Sequence, residues 1–268
     1  MKRRDFLKTS AALAGGAALA AGATAAAEDN DKTAQRQFYE LRLYRLRRGP
    51  KTELFDRFFR DAAVPALNRA GIERVGVFSV MVGPESPTQY VLLAHPSLES
   101  LVTTPQRLAA DAEYKKAGAE FLDAPAADPA YVRVESSLMI SFESMPKLET
   151  PTFAGGGKGR FFELRTYESH SRKANDKKVE MFNRGEIAIF RRAGLLPVFF
   201  GQTLIGARLP NLTYMLAFEN QEAHEKNWAA FGADPEWKKL RSTPGYADAE
   251  IVSDISNVFL RPAAYSQI

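Results

Sequence analysis

The sequence predicts an α+β protein in which two tandem ferredoxin-like βαββαβ units form one pseudo-dimeric α/β barrel. Two observations lead to this fold class. Segments of the first half recur in the second half at an offset of 123 residues, and each copy gives the same order of strand and helix patterns. That order is the split βαβ arrangement of ferredoxin-like domains.

The repeat is clearest in its opening strand, where FYELRLY at residues 38–44 matches FFELRTY at residues 161–167. Ala-Gly at 70–71 returns at 193–194, and Asp111 begins a DAEYKK segment that matches DPEWKK from Asp234. The strand from Tyr90 aligns best with the strand from Tyr214, one residue out of step. We therefore predict a first repeat over residues 36–141, a Pro/Gly linker over 142–158 and a second repeat over 159–268.

Each element of the first repeat follows from its own pattern. Alternation predicts a strand at 38–44, and an apolar stripe predicts a helix over 51–69 with a bend near Pro65. The rest of the repeat reads, in order, as a strand at 75–82, a turn at 84–88, a strand at 90–94, a helix capped by Ser97 and a closing strand at 131–140. In the second repeat Asn220 is the matching cap, and the paired Tyr114 and Trp237 are predicted to be core residues.

The opening strand carries the candidate pocket. Alternation places Tyr39, Leu41 and Leu43 on one face, which we expect to pack on the helices. The other face carries the charged and phenolic residues of both repeats, which we expect to line a cavity between the two sheets: Glu40, Arg42, Tyr44, Glu163, Arg165 and Tyr167.

Two interpretations of this face remain open. It could bind an anionic or carbonyl-bearing small molecule, with arginine as a clamp and glutamate as a base. Alternatively, the Glu–Arg pairs could be a structural ion-pair network, because a buried charge needs a partner.

The N-terminus has the three parts of a secretory signal. Arg3-Arg4 precedes an Ala-rich stretch from Ala11, which ends in an A-x-A pattern before Glu28. The arginine pair indicates a twin-arginine signal over residues 1–27 and export of a folded chain to the periplasm or beyond. We therefore expect contact with a membrane only during export.

Composition excludes several classes of site. The segment 1–27 carries four basic side chains and one acidic one, so its removal lowers the net charge from +4 to +1. This gives no basis for a nucleic-acid partner. The chain has no cysteine and three histidines, which excludes thiolate chemistry and leaves no evident metal or cofactor motif. His95 is expected at a strand end or surface, His170 in a solvated loop and His224 against Trp228.

Taken together, the tandem Glu-Leu-Arg strands, the Ala-Gly pairs, the DxE(Y/W)KK segments and the closing RPAAYS from Arg261 resemble the NIPSNAP family over residues 36–268. The resemblance implies a dimeric α/β-barrel fold but brings no defined activity. Related barrels include monooxygenases and muconolactone-isomerase-like enzymes, so a cofactor-free enzyme of either kind is one alternative. A non-catalytic scaffold of the cell envelope is another. A small-molecule ligand and a homo-oligomer are the partners that the sequence allows.

Overall fold

The computed structural model describes residues 35–82, 87–153 and 159–268. The predicted signal segment 1–27 and its cleavage site lie outside the described residues. Most of the predicted turn at 84–88 and part of the linker at 142–158 do so as well.

Repeat 1 comprises the first four strands and their helices. Its elements are β1 (Phe38–Arg45), α1 (Lys51–Phe58), a π-helical segment (Phe59–Ala63), α2 (Val64–Arg69), β2 (Val75–Val82), β3 (Thr88–His95), α3 (Leu98–Ala110), α4 (Ala112–Leu122) and β4 (Arg133–Ser141).

Repeat 2 follows the same order. Its elements are β5 (Phe161–Glu168), α5 (Arg172–Met181), a π-helical segment (Phe182–Glu186), α6 (Ile187–Arg192), β6 (Leu196–Ile205), β7 (Asn211–Phe218), α7 (Gln221–Ala233), α8 (Pro235–Arg241), α9 (Asp248–Ile251) and β8 (Asp254–Pro262).

The eight strands form one closed antiparallel barrel in the order β1-β3-β2-β8-β5-β7-β6-β4. Each repeat contributes four adjacent strands. The pairs β2–β8 and β4–β6 join the repeats, and each contains a register shift. Closure removes the free sheet edges that a four-stranded repeat would otherwise expose. The predicted fold class is confirmed.

Short polar motifs begin the helices as predicted. The side chain of Ser97 accepts a hydrogen bond from the Ser100 amide at 3.1 Å, and Asn220 accepts one from the Ala223 amide at 2.9 Å. The repeated aspartate of the DxE(Y/W)KK segments does the same for α4 and α8, where Asp111 and Asp234 are the N-caps. This satisfies backbone donors that a helix leaves free at its start.

The two faces of the opening strand are the reverse of the prediction. Tyr39 and Leu41 belong to the apolar cluster inside the barrel, whereas Tyr44 belongs to the cluster beneath the helices of repeat 1. Phe162 and Tyr167 divide in the same way in repeat 2. The prediction assumed that a charged row would avoid the helices. Each arginine instead pairs with the glutamate on its own strand, which offsets the cost of burying both.

Strand register corrects the alignment of Tyr90 with Tyr214. Phe38 lies opposite His95 and Phe161 lies opposite Phe218, so β3 and β7 match at the constant offset of 123. A slip of one residue moves a side chain to the other face of a strand. Tyr90 therefore lies inside the barrel, whereas Tyr214 lies under the helices of repeat 2.

The residues after β8 complete the edge of β2 in repeat 1. The amides of Val75 and Val77 donate to the side chains of Gln267 and Ser266 at 2.9 and 3.0 Å. Ile268 is buried, and its side chain lies against Gly76, where a Cβ would come within 2.9 Å of it. The chain segment that follows repeat 2 thus packs as part of repeat 1.

Candidate functional site

A fork of two hydrogen bonds joins Arg42 to Glu40 on β1. The guanidinium Nε and Nη2 donate to the two carboxylate oxygens, both at 2.7 Å. The Ser136 hydroxyl of β4 donates to the same carboxylate at 2.9 Å. His95 Nε2 lies 3.5 Å from it. A parallel fork is the strongest geometry for this ion pair and fixes both side chains.

Glu40 holds its negative charge in this setting. Burial alone would raise the pKa of Glu40, but the adjacent His95 imidazole and the hydrogen-bonded Arg42 outweigh it and lower the pKa to about 2. A carboxylate of this pKa is a poor proton acceptor near neutral pH. The geometry thus disfavours the expected role of this glutamate as a base.

Arg42 borders an open cavity of about 360 Å³ between β1 and the helices of repeat 1. Six of its fourteen lining residues are aromatic: Phe58, Phe59, Phe121, Tyr44, Tyr114 and Tyr131. Phe58 and Phe121 are stacked with ring centroids 4.0 Å apart. Aromatic walls with a few fixed polar groups are typical of small-molecule sites.

Two phenol groups of this cavity keep their protons. Burial raises the pKa of Tyr44, and burial raises the pKa of Tyr114 to about 12. The ring of Tyr131 meets that of Tyr44 edge-on at 5.8 Å. Protonated phenols and a guanidinium are hydrogen-bond donors, so the polar side of the cavity favours a ligand with acceptor oxygens.

In the matching pair of repeat 2 the glutamate is fully buried. Glu163 is 1% exposed. It accepts hydrogen bonds from Arg165 at 2.6 Å and from Trp228 Nε1 at 2.9 Å, and His224 Nε2 lies 3.1 Å from it. Both α7 residues therefore contact the carboxylate directly.

Trp228 covers the arginine of repeat 2. Its indole ring lies 4.9 Å from the guanidinium carbon of Arg165 and packs edge-on against Phe190 and Phe231 at 5.6 and 5.7 Å. At the constant offset of 123, the corresponding residue of repeat 1 is Pro105 on α3, which is exposed. Repeat 1 thus has no large side chain at the position that covers the arginine in repeat 2.

Other positions around the repeat 1 cavity follow the same trend. Four of its lining residues have larger counterparts in repeat 2. The pairs are Ala63 and Glu186, Leu67 and Phe190, Leu108 and Phe231, and Tyr114 and Trp237. The two repeats therefore share their strands but not the space above the Glu–Arg pair.

One of these larger residues is itself a buried acid. Glu186 ends the π-helical segment of repeat 2, is 2% exposed and lies 3.4 Å from Lys178 Nζ. Lys178 also donates to Asp248 at 3.1 Å. Burial raises the pKa of Glu186 to about 7, although the Lys178 charge opposes the shift. This acid thus titrates near neutrality within the core of repeat 2.

A cavity between the two repeats does exist, but the candidate pocket residues do not line it. Its volume is about 640 Å³, and Leu41 and Leu43 from the opposite face of β1 are among its walls. Glu40, Arg42 and Tyr44 line the separate cavity under the helices of repeat 1, and Glu163 and Arg165 are enclosed in repeat 2. The prediction that these residues face the inter-sheet cavity was wrong, because it assigned the two faces of the strand the wrong way round.

Sequence reasoning missed several neighbours of the Glu–Arg pairs. His95 ends β3, in line with the expected strand-end position, but it is completely buried against Glu40 and does not lie at the surface. His224 and Trp228 were expected to contact each other but not Glu163. The two histidines come from different elements, β3 and α7, so comparing the repeats could not identify them. Tyr131 lies just before β4 and Ser136 lies on it, and no motif marks either residue.

Among residues 35–82, 87–153 and 159–268, no cluster of three or more His, Asp or Glu side chains has the arrangement of a metal site. Within the same ranges, no helix has both the length and the apolar character needed to cross a bilayer.

The fold places the chain among the α/β barrels built from paired ferredoxin-like units. The NIPSNAP family profile matches residues 39–143 and 162–267, once in each repeat. The chain belongs to the NIPSNAP family. A profile of twin-arginine translocation signals matches residues 1–20, so the chain carries an export signal of that route.

Solved structures with the same fold carry differing descriptions. A candidate monooxygenase from Fusobacterium nucleatum aligns with a TM-score of 0.57 at 8% identity, covering 85% of this chain and 93% of its own. A candidate monooxygenase from Lactobacillus acidophilus gives a TM-score of 0.55 at 9% identity, covering 87% and 98%. Both similarities show the fold alone.

A single NIPSNAP-like domain protein from Burkholderia xenovorans is 23% identical over 40% of this chain and 88% of its own, with a TM-score of 0.36. No curated protein matches the chain.

Proposed function

We propose that this protein acts after export, in the periplasm or outside the cell, by binding a small aromatic molecule in the cavity of repeat 1. The ligand class is a planar ring system that carries a carbonyl or similar acceptor oxygen. The observation that carries the proposal is the fixed Arg42 guanidinium at the edge of an aromatic cavity of about 360 Å³.

The arginine has donors left for a ligand. A guanidinium has five N–H groups, of which Arg42 directs two to Glu40. Because Glu40 already balances its charge, a carboxylate ligand would add an uncompensated negative charge to the cavity. A neutral carbonyl oxygen adds none, so we favour it over an anion.

The aromatic walls supply the remaining contacts. Phe58, Phe121 and Tyr114 present ring faces and edges to one space. Rings that pack in offset or edge-on geometry contribute beyond the area that they bury. Binding is the proposed role. Catalysis by Glu40 as a base is disfavoured by its low pKa, and a scaffold role is an outcome of the test below.

The test uses 1-tetralone, a bicyclic aromatic ketone, and tetralin, the same skeleton without oxygen, in calorimetric titrations of the purified protein. We expect the parent protein to bind 1-tetralone at least about tenfold more tightly than tetralin, because one charge-assisted hydrogen bond accounts for such a ratio. The variant Pro105→Trp introduces the covering residue of repeat 2 and should weaken 1-tetralone binding about tenfold or more.

Pro105→Ala is the matched control and should bind like the parent. Equal affinity for 1-tetralone and tetralin would show that Arg42 does not hydrogen-bond the ligand oxygen. Undiminished binding by a folded Pro105→Trp variant would place the ligand elsewhere. If the parent binds neither probe, the aromatic-ligand assignment is wrong and the scaffold role is favoured.

A further inference from the structure

We infer that the interior of the barrel is a second, independent binding site, which takes an uncharged molecule with a long apolar body and a hydroxyl group at one end. This inference goes beyond the proposed function, because it concerns the other face of β1 and a different ligand class. It rests on the shape of the lumen, one unpartnered hydroxyl and the balance of charge at the opening.

One end of the lumen is filled and the other is open. At the filled end Tyr39 packs on Phe199, and Phe78 packs on Phe162, with ring centroids 5.1 and 5.0 Å apart. The remaining cavity of about 640 Å³ lies within the roughly 300–1,000 Å³ of known small-molecule sites. It opens where β1 ends, at Arg45.

The walls of this cavity are mainly apolar. The aliphatic and thioether side chains that line it come from both repeats: Leu41, Leu43, Val80, Met139, Leu164 and Val258. Because each sheet contributes to the wall, the cavity exists only when the barrel is closed. An apolar chain that binds there moves its surface from water to an apolar environment, which is favourable in free energy.

Most polar groups nearer the opening are hydrogen-bonded to one another. The hydroxyls of Thr166 and Thr213 lie 2.9 Å apart, and the Thr203 hydroxyl donates to Asn211 at 2.6 Å. These hydroxyl and amide groups therefore already have hydrogen-bond partners within the protein.

The hydroxyl of Tyr90 differs. Tyr90 is 9% exposed, lines the cavity and has no hydrogen-bond partner among the residues that the structure describes. Its burial raises its pKa, so the phenol keeps its proton. The Tyr90 hydroxyl is accessible from the cavity and is not sealed inside the protein, so a ligand hydroxyl or carbonyl beside it would supply a hydrogen-bond partner.

Charges at the opening balance one another. Arg45 pairs with Glu135 at 3.3 Å, and Arg208 of the β6–β7 turn pairs with Glu168 at 3.2 Å. Each of these two guanidinium groups thus already has a carboxylate partner. A charged ligand would have to compete with these ion pairs, so the arrangement favours an uncharged polar end over a carboxylate or an ammonium group.

The experiment uses N-phenyl-1-naphthylamine, an uncharged fluorophore that brightens in apolar surroundings, and its displacement by 1-decanol or decanoate. We expect saturable fluorescence with the parent protein and displacement by 1-decanol at about one tenth of the decanoate concentration or less. Tyr90→Phe should bind the fluorophore as the parent does but bind 1-decanol about three- to tenfold more weakly. Leu43→Trp, which fills the lumen, should abolish binding of both the fluorophore and 1-decanol.

Circular dichroism and thermal melting check that each variant folds, and Val258→Phe fills the lumen from the opposite repeat if Leu43→Trp does not fold. Pro105→Trp, which closes only the repeat 1 cavity, should leave 1-decanol displacement unchanged. The inference is overturned if the parent gives no saturable fluorescence, if folded lumen-filling variants bind as the parent does, or if Tyr90→Phe has no effect. Stronger displacement by decanoate would overturn the uncharged ligand class. Binding of 1-tetralone to the repeat 1 cavity is measured separately. Failure of the lumen site can therefore be distinguished from failure of the proposed function.

Discussion

In repeat 1 the Glu40–Arg42 pair borders an open cavity, whereas in repeat 2 the Glu163–Arg165 pair is covered by Trp228 and contacted by His224. The two strands are nearly identical in sequence, and each arginine pairs with the glutamate of its own strand, through two hydrogen bonds in repeat 1 and one in repeat 2. The difference lies in residues from the helices that are placed over them. A duplicated barrel can thus keep one strand motif for structure in both repeats and leave space for a ligand in only one.

The largest effect should come from neutralising the enclosed carboxylate. Glu163→Gln leaves Arg165 buried without its counter-ion and should cost about 3–5 kcal/mol of unfolding free energy, the range for a broken buried ion pair. Glu40→Gln should cost roughly half as much, because the Glu40 side chain is 14% exposed and that of Glu163 is 2%. Urea denaturation of both variants measures the difference. Equal losses would show that the two pairs are equally enclosed.

Removing the covering residue should have the next largest effect. Trp228→Ala deletes a donor to Glu163 and the packing against Phe190 and Phe231, so we expect a loss of about 3 kcal/mol. Its counterpart Pro105→Ala should be neutral or stabilising, because proline inside a helix is unfavourable. Chemical denaturation of this pair tests whether only repeat 2 depends on a residue at this position. A destabilised Pro105→Ala variant would contradict that.

The acids of the two repeats should give opposite responses to pH. The pKa of folded Glu186 is about 7, so stability falls as pH rises from its ordinary value of 4.5 towards 7 and does not recover above it. Glu40 has a pKa of about 2, so its stabilisation is present above pH 4.5 and is lost as pH falls towards 2. Glu186→Gln should flatten the profile between pH 5 and 8 by about 2–3 kcal/mol, as thermal melts across that range would show. An unchanged slope would mean that another group titrates there.

The smallest effect on stability should come from closing the cavity of repeat 1. Pro105→Trp changes an exposed position, so we expect a shift within about 0.5 kcal/mol, even though the same change should abolish most 1-tetralone binding. A denaturation curve and a binding titration on one preparation measure the two effects. A large loss of stability would indicate that the indole cannot enter the cavity without displacing its walls.

The fold followed from the sequence because the repeat offset and the alternation of strand and helix patterns are properties of the whole chain. The ion pairs followed as well, since residues two apart on a strand share a face. Which face is buried under helices could not be read from β1 alone, where both rows are largely apolar or aromatic apart from the Glu–Arg pair. The covering residues His224 and Trp228 have no counterparts of the same type in repeat 1. Comparison of the two repeats, which predicted the fold, therefore could not identify them.

Closure of the barrel has a consequence for the order of events in the cell. The edge of β2 is completed by β8 and by Ser266 and Gln267, which are synthesised only after the other strands of repeat 2. Contacts so distant in sequence form late in folding. A ribosome that stops before β8 would release a chain with an export signal but with exposed strand edges in both repeats. The twin-arginine route carries folded proteins. Repeat 1 can therefore be exported only after repeat 2 has been translated and the barrel has closed.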